Sequence, residues 1–242
     1  MLPPAFLDRV RQQLGPEYEA FLASYHRPRA LGLRLNPLKT DRPPILPFTL
    51  SPLPWAAYGF WYPSEERPGL HPWHEAGLYY LQEPSAMAPA ELLGVEPGLR
   101  VLDLCAAPGG KSTQLAAKMR GQGLLVCNEY HPKRAKILSQ NVERMAISNA
   151  LVLQETPERL AKRFPGWFHR VLVDAPCSGE GMFRKETAAL EDWSPELVEM
   201  CARRQAGILD AAAELLAPGG RLVYSTCTFA PQEDEGAVAA FL

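Results

Sequence analysis

Two apolar runs in this sequence each end on a thiol. "VLVDAPCSGEG" (171–181) leads through Asp174 to Cys177, and "RLVYSTCTF" (221–229) leads to Cys227. Upstream, "DLCAAPGGKST" (103–113) turns on Gly109 and Gly110 ahead of Lys111, and "LLVCNE" ends on Glu129. Each residue type has a chemistry. A thiolate is a nucleophile that can form a covalent intermediate and split one hard step into easier ones. A carboxyl group such as Asp174 can hydrogen-bond or protonate a reacting ring. An acid at a strand end suits the paired hydroxyls of a ribose. A small, glycine-containing turn lets the backbone approach a ligand closely.

The glycine loop can be read in two ways. Gly110, Lys111 and Ser112 match the end of a phosphate-binding GxxxxGK[ST] loop, with the strand ending at Asp174 as its magnesium strand. The first glycine of that motif would be residue 105, which is Cys105. Without it the turn that wraps phosphates is lost, which disfavours an NTPase. The other reading is a nucleoside-containing cofactor without phosphates. S-adenosyl-L-methionine fits, with its ribose on Glu129 and its amino-acid tail on the loop. Spacing does not rank the two thiols.

The elements that must position these residues alternate. Strands are predicted at 99–105, 124–129, 150–154, 169–176 and 221–227, and helices at 132–146 and 157–163, while 106–121 turns on its glycines and enters a helix. A long helix from Ser194 to about 217 starts on a Ser-Pro cap and stops at "PGG", and another helix begins near 231. Continuously apolar strands alternating with helices predict an α/β fold, a doubly wound, mostly parallel, Rossmann-like sheet. Ligands gather at the carboxyl ends of such strands, where all of these residues fall. Gln205, on the long helix, could line the pocket, but an exposed polar residue is the favoured reading.

Residues 1–75 have a different texture and are expected to form a small N-terminal α+β domain. They contain two helical stretches, the alternating strand "LGLRLN", and a loop at 41–73 rich in Pro, Trp and Tyr. Residues 76–242 would be the catalytic domain. The sequence stops in the helix after strand five, without the antiparallel pair that usually closes such sheets, so it is expected to be a trimmed piece of a longer protein.

Composition bounds the rest. With 47% hydrophobic and 21% charged residues the chain is an ordinary globular one. No apolar run is long enough to span a bilayer, and no signal peptide precedes the first helix. Five cysteines without a CxxC spacing argue against both a disulfide framework and a zinc site. The expectation is a cytoplasmic monomer without metal or membrane partner. Net charge is −2, yet residues 26–42 hold five Lys or Arg against one Asp. That segment, with Trp55, Trp61, Tyr62 and Trp73, could hold RNA through phosphates and stacking; core packing of those aromatics is the equal alternative.

"DLCAAPGGKS", "NEYHPKR", "VDAPCSGEG" and "YSTCTF", in this order and spacing, resemble the RNA cytosine-5 methyltransferases of the Nop/NSUN family. "RLNPLK" and "LQEPSAM" resemble that family's N-terminal motifs. With "APCSGEGMFRK" and "DWSPE", the sequence is most similar to the bacterial RsmF-type enzymes of small-subunit (16S) ribosomal RNA, with tRNA as the alternative substrate. The resemblance covers roughly residues 30–242. It implies Cys227 as the nucleophile at cytosine carbon 6, Cys177 in elimination and release, Asp174 in ring activation, and Lys111 directed into the site. It implies S-adenosyl-L-methionine bound by Cys105, Ala106, Ala107, Pro108, Gly109, Gly110, Lys111, Glu129, Arg134 and Asp174. Thr156 departs from the pattern, because an acid often stands there to meet the adenine side; Glu155 is the candidate replacement. Arg34 and Asn36 are expected to contact either RNA or the catalytic domain.

Overall fold

The computed structural model describes residues 2–40 and 46–242; Asp41 and Arg42 of the basic segment, and the start of the Pro-rich loop, lie outside them. Helices α1 (Pro4–Leu14) and α2 (Tyr18–Ser24) come first. A four-stranded antiparallel sheet follows, ordered β2 (Ser51–Pro52), β3 (Gly59–Trp61), β1 (Gly32–Leu35), β4 (Tyr79–Leu81), with Leu33 opposite Phe60 on one side and Leu81 on the other. Strand β1 was legible, whereas β2 to β4 fall in or just after the predicted loop. Two or three residues are too few to display an alternating pattern. Helices α3 (Pro72–Glu75) and α4 (Ala88–Leu92) flank β4.

The second sheet is parallel and ordered β7 (Ala150–Leu153), β6 (Leu124–Asn128), β5 (Arg100–Asp103), β8 (Phe168–Asp174), β9 (Leu216–Ser225). Helices α5 (Gly110–Met119), α6 (Pro132–Arg144) and α7 (Pro157–Arg163) connect the first of these strands. Helices α8 (Thr187–Asp192) and α9 (Pro195–Leu215) lie between β8 and β9, and α10 (Glu235–Phe241) comes last. Val101, Leu102, Leu125, Val171, Leu172 and Val173 are buried, as strands covered on both faces require. The order of strands reverses between β5 and β8, which creates the crevice at the strands' carboxyl ends where ligands of this architecture bind.

Strand β9 begins five residues before the predicted position, and the long helix ends correspondingly early, at Leu215. Pro218 disfavours helix at Ala217, and the carbonyls of Glu214 and Leu215 accept backbone hydrogen bonds from Gly166 and Trp167 at 2.8 and 3.0 Å.

The chain forms two compact units. One comprises the chain up to Arg29 with Ala175–Asp210 and Ser225–Leu242, and the other comprises Ala30–Asp174 with Ala211–Tyr224. The first, here the thiol unit, is centred on Phe6, Val10, Phe183, Trp193 and Val198. The second, the sheet unit, holds both sheets and the larger core around Leu93, Leu115, Met119, Leu125 and Leu138.

Candidate active site

In the sheet unit the loop after β5 is shaped by backbone demands. Gly109 has φ +110°, a region L side chains rarely enter, and a Cβ there would crowd Leu138 at 3.2 Å. The loop's carbonyls are tied from α6: Arg134 Nη2 donates to Ala107 O and Asn141 Nδ2 to Pro108 O, both at 2.8 Å. Ala106 N–H donates to Asn128 O at 2.8 Å. Arg134 also pairs with Glu129, 3.2 Å from Nη1 to Oε2, while Glu129 Oε1 accepts the His131 N–H at 2.8 Å. One guanidinium therefore fixes both the acid and the loop. Lys111 Nζ lies 2.7 Å from Asp174 Oδ2, so Lys111 is an ion-pair partner and not a solvated helix-start lysine. Burial pushes the Cys105 thiol up, which leaves it an inert member of the loop.

Asp103, at the end of β5, is fully buried. Its Oδ2 accepts the Ser112 hydroxyl at 2.6 Å, and its Oδ1 has no partner among the described residues. Burial pushes its carboxyl up to about 7. An unpaired carboxylate oxygen beside a glycine turn, with a second acid at the next strand end, fits the ammonium and ribose of S-adenosylmethionine. The same contacts disfavour a phosphate loop, because Ser112 and Lys111 are both engaged by carboxylates.

In the thiol unit, Cys177 Sγ and Cys227 Sγ are 3.3 Å apart, and the Cys227 N–H points at Cys177 Sγ from 3.3 Å. The hydrogen bond to Cys227, and then burial, push the Cys177 thiol up. Either sulfur can act as the donor in this contact. Cys227 is the exposed member and Cys177 the half-buried one. Gly181 donates its N–H to Cys227 O at 2.8 Å, and a Cβ on it would stand 2.9 Å from that oxygen, so a side chain would force the loops apart. Glu180, fully buried, accepts from Arg9 at 2.6 Å, Trp193 Nε1 at 2.9 Å and Phe229 N–H at 3.0 Å, tying the first cysteine loop to the second.

A family model described as 16S rRNA methyltransferase RsmB/F matches residues 90–242, and one for the N-terminal domain of 16S rRNA methyltransferase RsmF matches 2–84. The chain belongs to the RsmB/F family. Family members are S-adenosylmethionine-dependent. Among curated proteins, it is 41% identical to ribosomal RNA small subunit methyltransferase F of Serratia proteamaculans, over 100% of this chain and 53% of that protein. It is 38% identical to the same-named protein of Escherichia coli, over 96% and 52%. The chain thus spans about half the length of these relatives. A methyltransferase homologue from Pyrococcus horikoshii is 29% identical with a TM-score of 0.83, over 97% of this chain and 76% of that one. NSun6 from the same organism, solved with SFG, has a TM-score of 0.87 at 19% identity over 98% and 86%, a likeness of fold.

Other residues of this RsmB/F chain take definite places. Thr156, in the position where an acid was expected, caps α7: its hydroxyl accepts the Arg159 N–H at 3.3 Å. Glu155 pairs with Arg159 at 3.1 Å. Arg34 and Asn36 contact the sheet unit's own helices. Arg34 donates to Gly110 O at 2.9 Å, Thr113 Oγ1 at 2.6 Å and Gln82, and Asn36 donates to Gly77 O and Met145 O. Burial pulls the Arg34 guanidinium down to about 10. Of the aromatics, Tyr62 and Trp73 pack on the Leu33–Tyr79 cluster and Trp61 on Met87, while Trp55 is half exposed. A cavity of about 1000 Å³ lies beside Asn36, Tyr58, Glu91 and Lys118. Arg34 and Asn36 line it, none of the predicted catalytic or cofactor-binding residues does, and Glu91 and Lys118 pair there at 2.5 Å. Gln205 is fully buried, contrary to its expected exposure, and donates to Pro176 O at 3.1 Å. Asp103, Asn128, Asn141, Glu180 and Glu233 were not anticipated. No described helix is long and apolar enough to cross a membrane.

Proposed function

We propose that the protein methylates carbon 5 of cytosine in RNA, with small-subunit ribosomal RNA as substrate, through a covalent bond between Cys227 and the base. The observation that carries this is the thiol pair at 3.3 Å, the more exposed sulfur belonging to Cys227. Carbon 5 of cytosine is a poor nucleophile. Addition of the Cys227 thiolate to carbon 6 breaks the ring's conjugation and moves electron density to carbon 5, while Asp174 hydrogen-bonds the ring nitrogen that takes up the charge. Bound on the loop 105–110 and Glu129, S-adenosylmethionine supplies an electrophilic methyl group. Once carbon 5 carries the methyl, its proton must leave so that the carbon 6–sulfur bond can break, and Cys177 assists that elimination. Lys111 holds Asp174 in place.

Residues 1–75 are assigned to RNA recognition and 76–242 to catalysis, with a flipped or splayed cytidine as the reacting unit. The names of the curated relatives support the ribosomal substrate. The test is a denaturing gel of the Cys177→Ala variant with labelled S-adenosylmethionine and 16S RNA. A labelled protein–RNA adduct that disappears on further change of Cys227→Ala is expected. An adduct that survives loss of Cys227 and needs Cys177 would reverse the roles, and cofactor binding without methylated RNA or adduct in any form would overturn the reading.

A further inference from the structure

We infer that Glu233 is a positioning residue that sets the distance between the two thiols, through a hydrogen-bonded chain joining the residues next to each cysteine. The inference rests on the thiol chemistry proposed above. Glu233 is fully buried. Its Oε2 accepts the Ser178 N–H at 2.9 Å and Gln205 Nε2 at 3.0 Å, and its Oε1 accepts the Ser178 hydroxyl. The Ser178 oxygen in turn lies 2.8 Å from Thr228 Oγ1. Ser178 follows Cys177 and Thr228 follows Cys227, so the chain links position +1 of one thiol to position +1 of the other. Gln205 uses its second hydrogen on Pro176 O, the residue before Cys177. Both flanks of Cys177 are thereby anchored to one carboxylate and its amide neighbour.

Direction matters in this chain. Ser178 has a single hydroxyl hydrogen and donates it to Glu233 Oε1. Thr228 then donates to Ser178, and the Thr228 oxygen accepts the Ala230 N–H at 3.3 Å. Removing the carboxylate leaves the Ser178 N–H and hydroxyl and the Gln205 amide without their shared acceptor inside the protein. A glutamine at 233 can replace it by running part of the chain backwards. Its amide nitrogen donates to Ser178, whose hydroxyl turns to Thr228, while its oxygen keeps the Ser178 N–H and Gln205. The role is geometric: Glu233 bonds directly to Ser178 beside Cys177 and, through the Ser178 hydroxyl, to Thr228 beside Cys227.

The thiol spacing can be read without RNA or cofactor, by equilibrating the protein with reduced and oxidised glutathione and quantifying the Cys177–Cys227 disulfide by mass spectrometry. In that exchange the two protein thiols give two electrons and two protons to glutathione disulfide, and two glutathione thiols are released. The equilibrium constant is the effective concentration of one thiol at the other. Glu233→Ala is expected to lower it at least tenfold and to slow covalent RNA adduct formation by a similar factor. Cofactor affinity should stay within twofold. Glu233→Gln should restore both to within threefold of the natural protein, and Thr228→Val, which removes one hydroxyl link, should give a several-fold loss. If Glu233→Ala does not fold, as thermal unfolding would show, Thr228→Val decides: a several-fold loss supports the inference. An unchanged effective concentration in a folded Glu233→Ala or in Thr228→Val overturns it, as does a Glu233→Gln variant as impaired as the alanine. Absence of any RNA adduct in the natural protein and in Cys177→Ala would instead sink the methyl-transfer reading and leave the disulfide measurement standing.

Discussion

The glycine loop after β5 and the two cysteine loops are held by different means. The glycine loop is tied by partners 22 to 33 residues away, from β6 and α6 of the next β–α unit: Asn128, Arg134 and Asn141. The cysteine loops depend on fully buried carboxylates and on partners far along the chain, Arg9 to Glu180 across 171 residues and Ser178 to Glu233 across 55. A loop that only has to cradle a cofactor tail needs its carbonyls aimed. A loop that has to bring one sulfur within 3.3 Å of another needs its whole backbone fixed, and buried, fully bonded carboxylates do that at a desolvation cost.

Three substitutions probe the contrast at the level of function. Cys227→Ala should have the largest effect, a loss of methyl transfer of at least roughly 10³-fold in single-turnover assays, because no other group replaces the nucleophile. Asp174→Asn should keep the shape of the Lys111 pair but lose the ionisable acid, with kcat down about 10²-fold and the Kd for S-adenosylmethionine much less affected. Glu129→Gln removes a charged acceptor from the cofactor side. Its Kd for S-adenosylmethionine should rise about tenfold or more, measured by calorimetry, with the thiol–disulfide equilibrium untouched. If Glu129→Gln shifted the thiol pair, or Cys227→Ala weakened cofactor binding as strongly as transfer, the two regions would not be separable.

The sequence makes the first region far more legible than the second. Strands β5 to β8 and the helices between them announce themselves by apolar runs and periodicity. The glycine loop, Glu129 and Arg134 follow at fixed offsets within one β–α unit. The four-stranded N-terminal sheet was read only at β1, because its other strands are three residues or shorter. Glu180 and Glu233 carry no local signature. Each is a polar residue in a turn-rich stretch, and its burial depends on segments that meet only after folding. Gln205 did leave a signal: Val198, Cys201, Gln205, Ile208 and Ala212 form one stripe at helical spacing, and all are buried. A polar residue in line with apolar ones is buried with them and must find partners there, which Pro176 and Glu233 supply.

Asp103 offers a smaller effect with a definite sign. Its carboxyl titrates near 7 in the folded chain, against about 3.9 for an unfolded Asp. Between those values the folded state holds a proton that the unfolded state has released. Stability therefore falls as pH rises from about 4 to 7, by on the order of 1 kcal/mol per pH unit, and levels off above 7. Asp103→Asn keeps an oxygen for Ser112 and cannot ionise, so its urea midpoint should decline less between pH 5 and 8. Saturating S-adenosylmethionine should reduce the slope of the natural protein as well, because an ammonium beside Asp103 would favour the carboxylate. A slope unchanged by cofactor would place the amino-acid tail elsewhere.

The smallest effect separates stability from binding within the cofactor region itself. Thr156→Ala removes the α7 cap and should cost about 1 kcal/mol in urea unfolding. The chain just before it is held independently, by Asn128 Nδ2 on Glu155 O and Glu155 N–H on Asn128 Oδ1, both at 3.0 Å. Cofactor affinity should therefore stay within twofold in Thr156→Ala, whereas Asn128→Ala should weaken it, since Asn128 also reaches Leu104 O at 3.1 Å, next to the glycine loop. Equal losses of affinity in the two variants would mean that Thr156 itself meets the cofactor and that its capping bond is secondary.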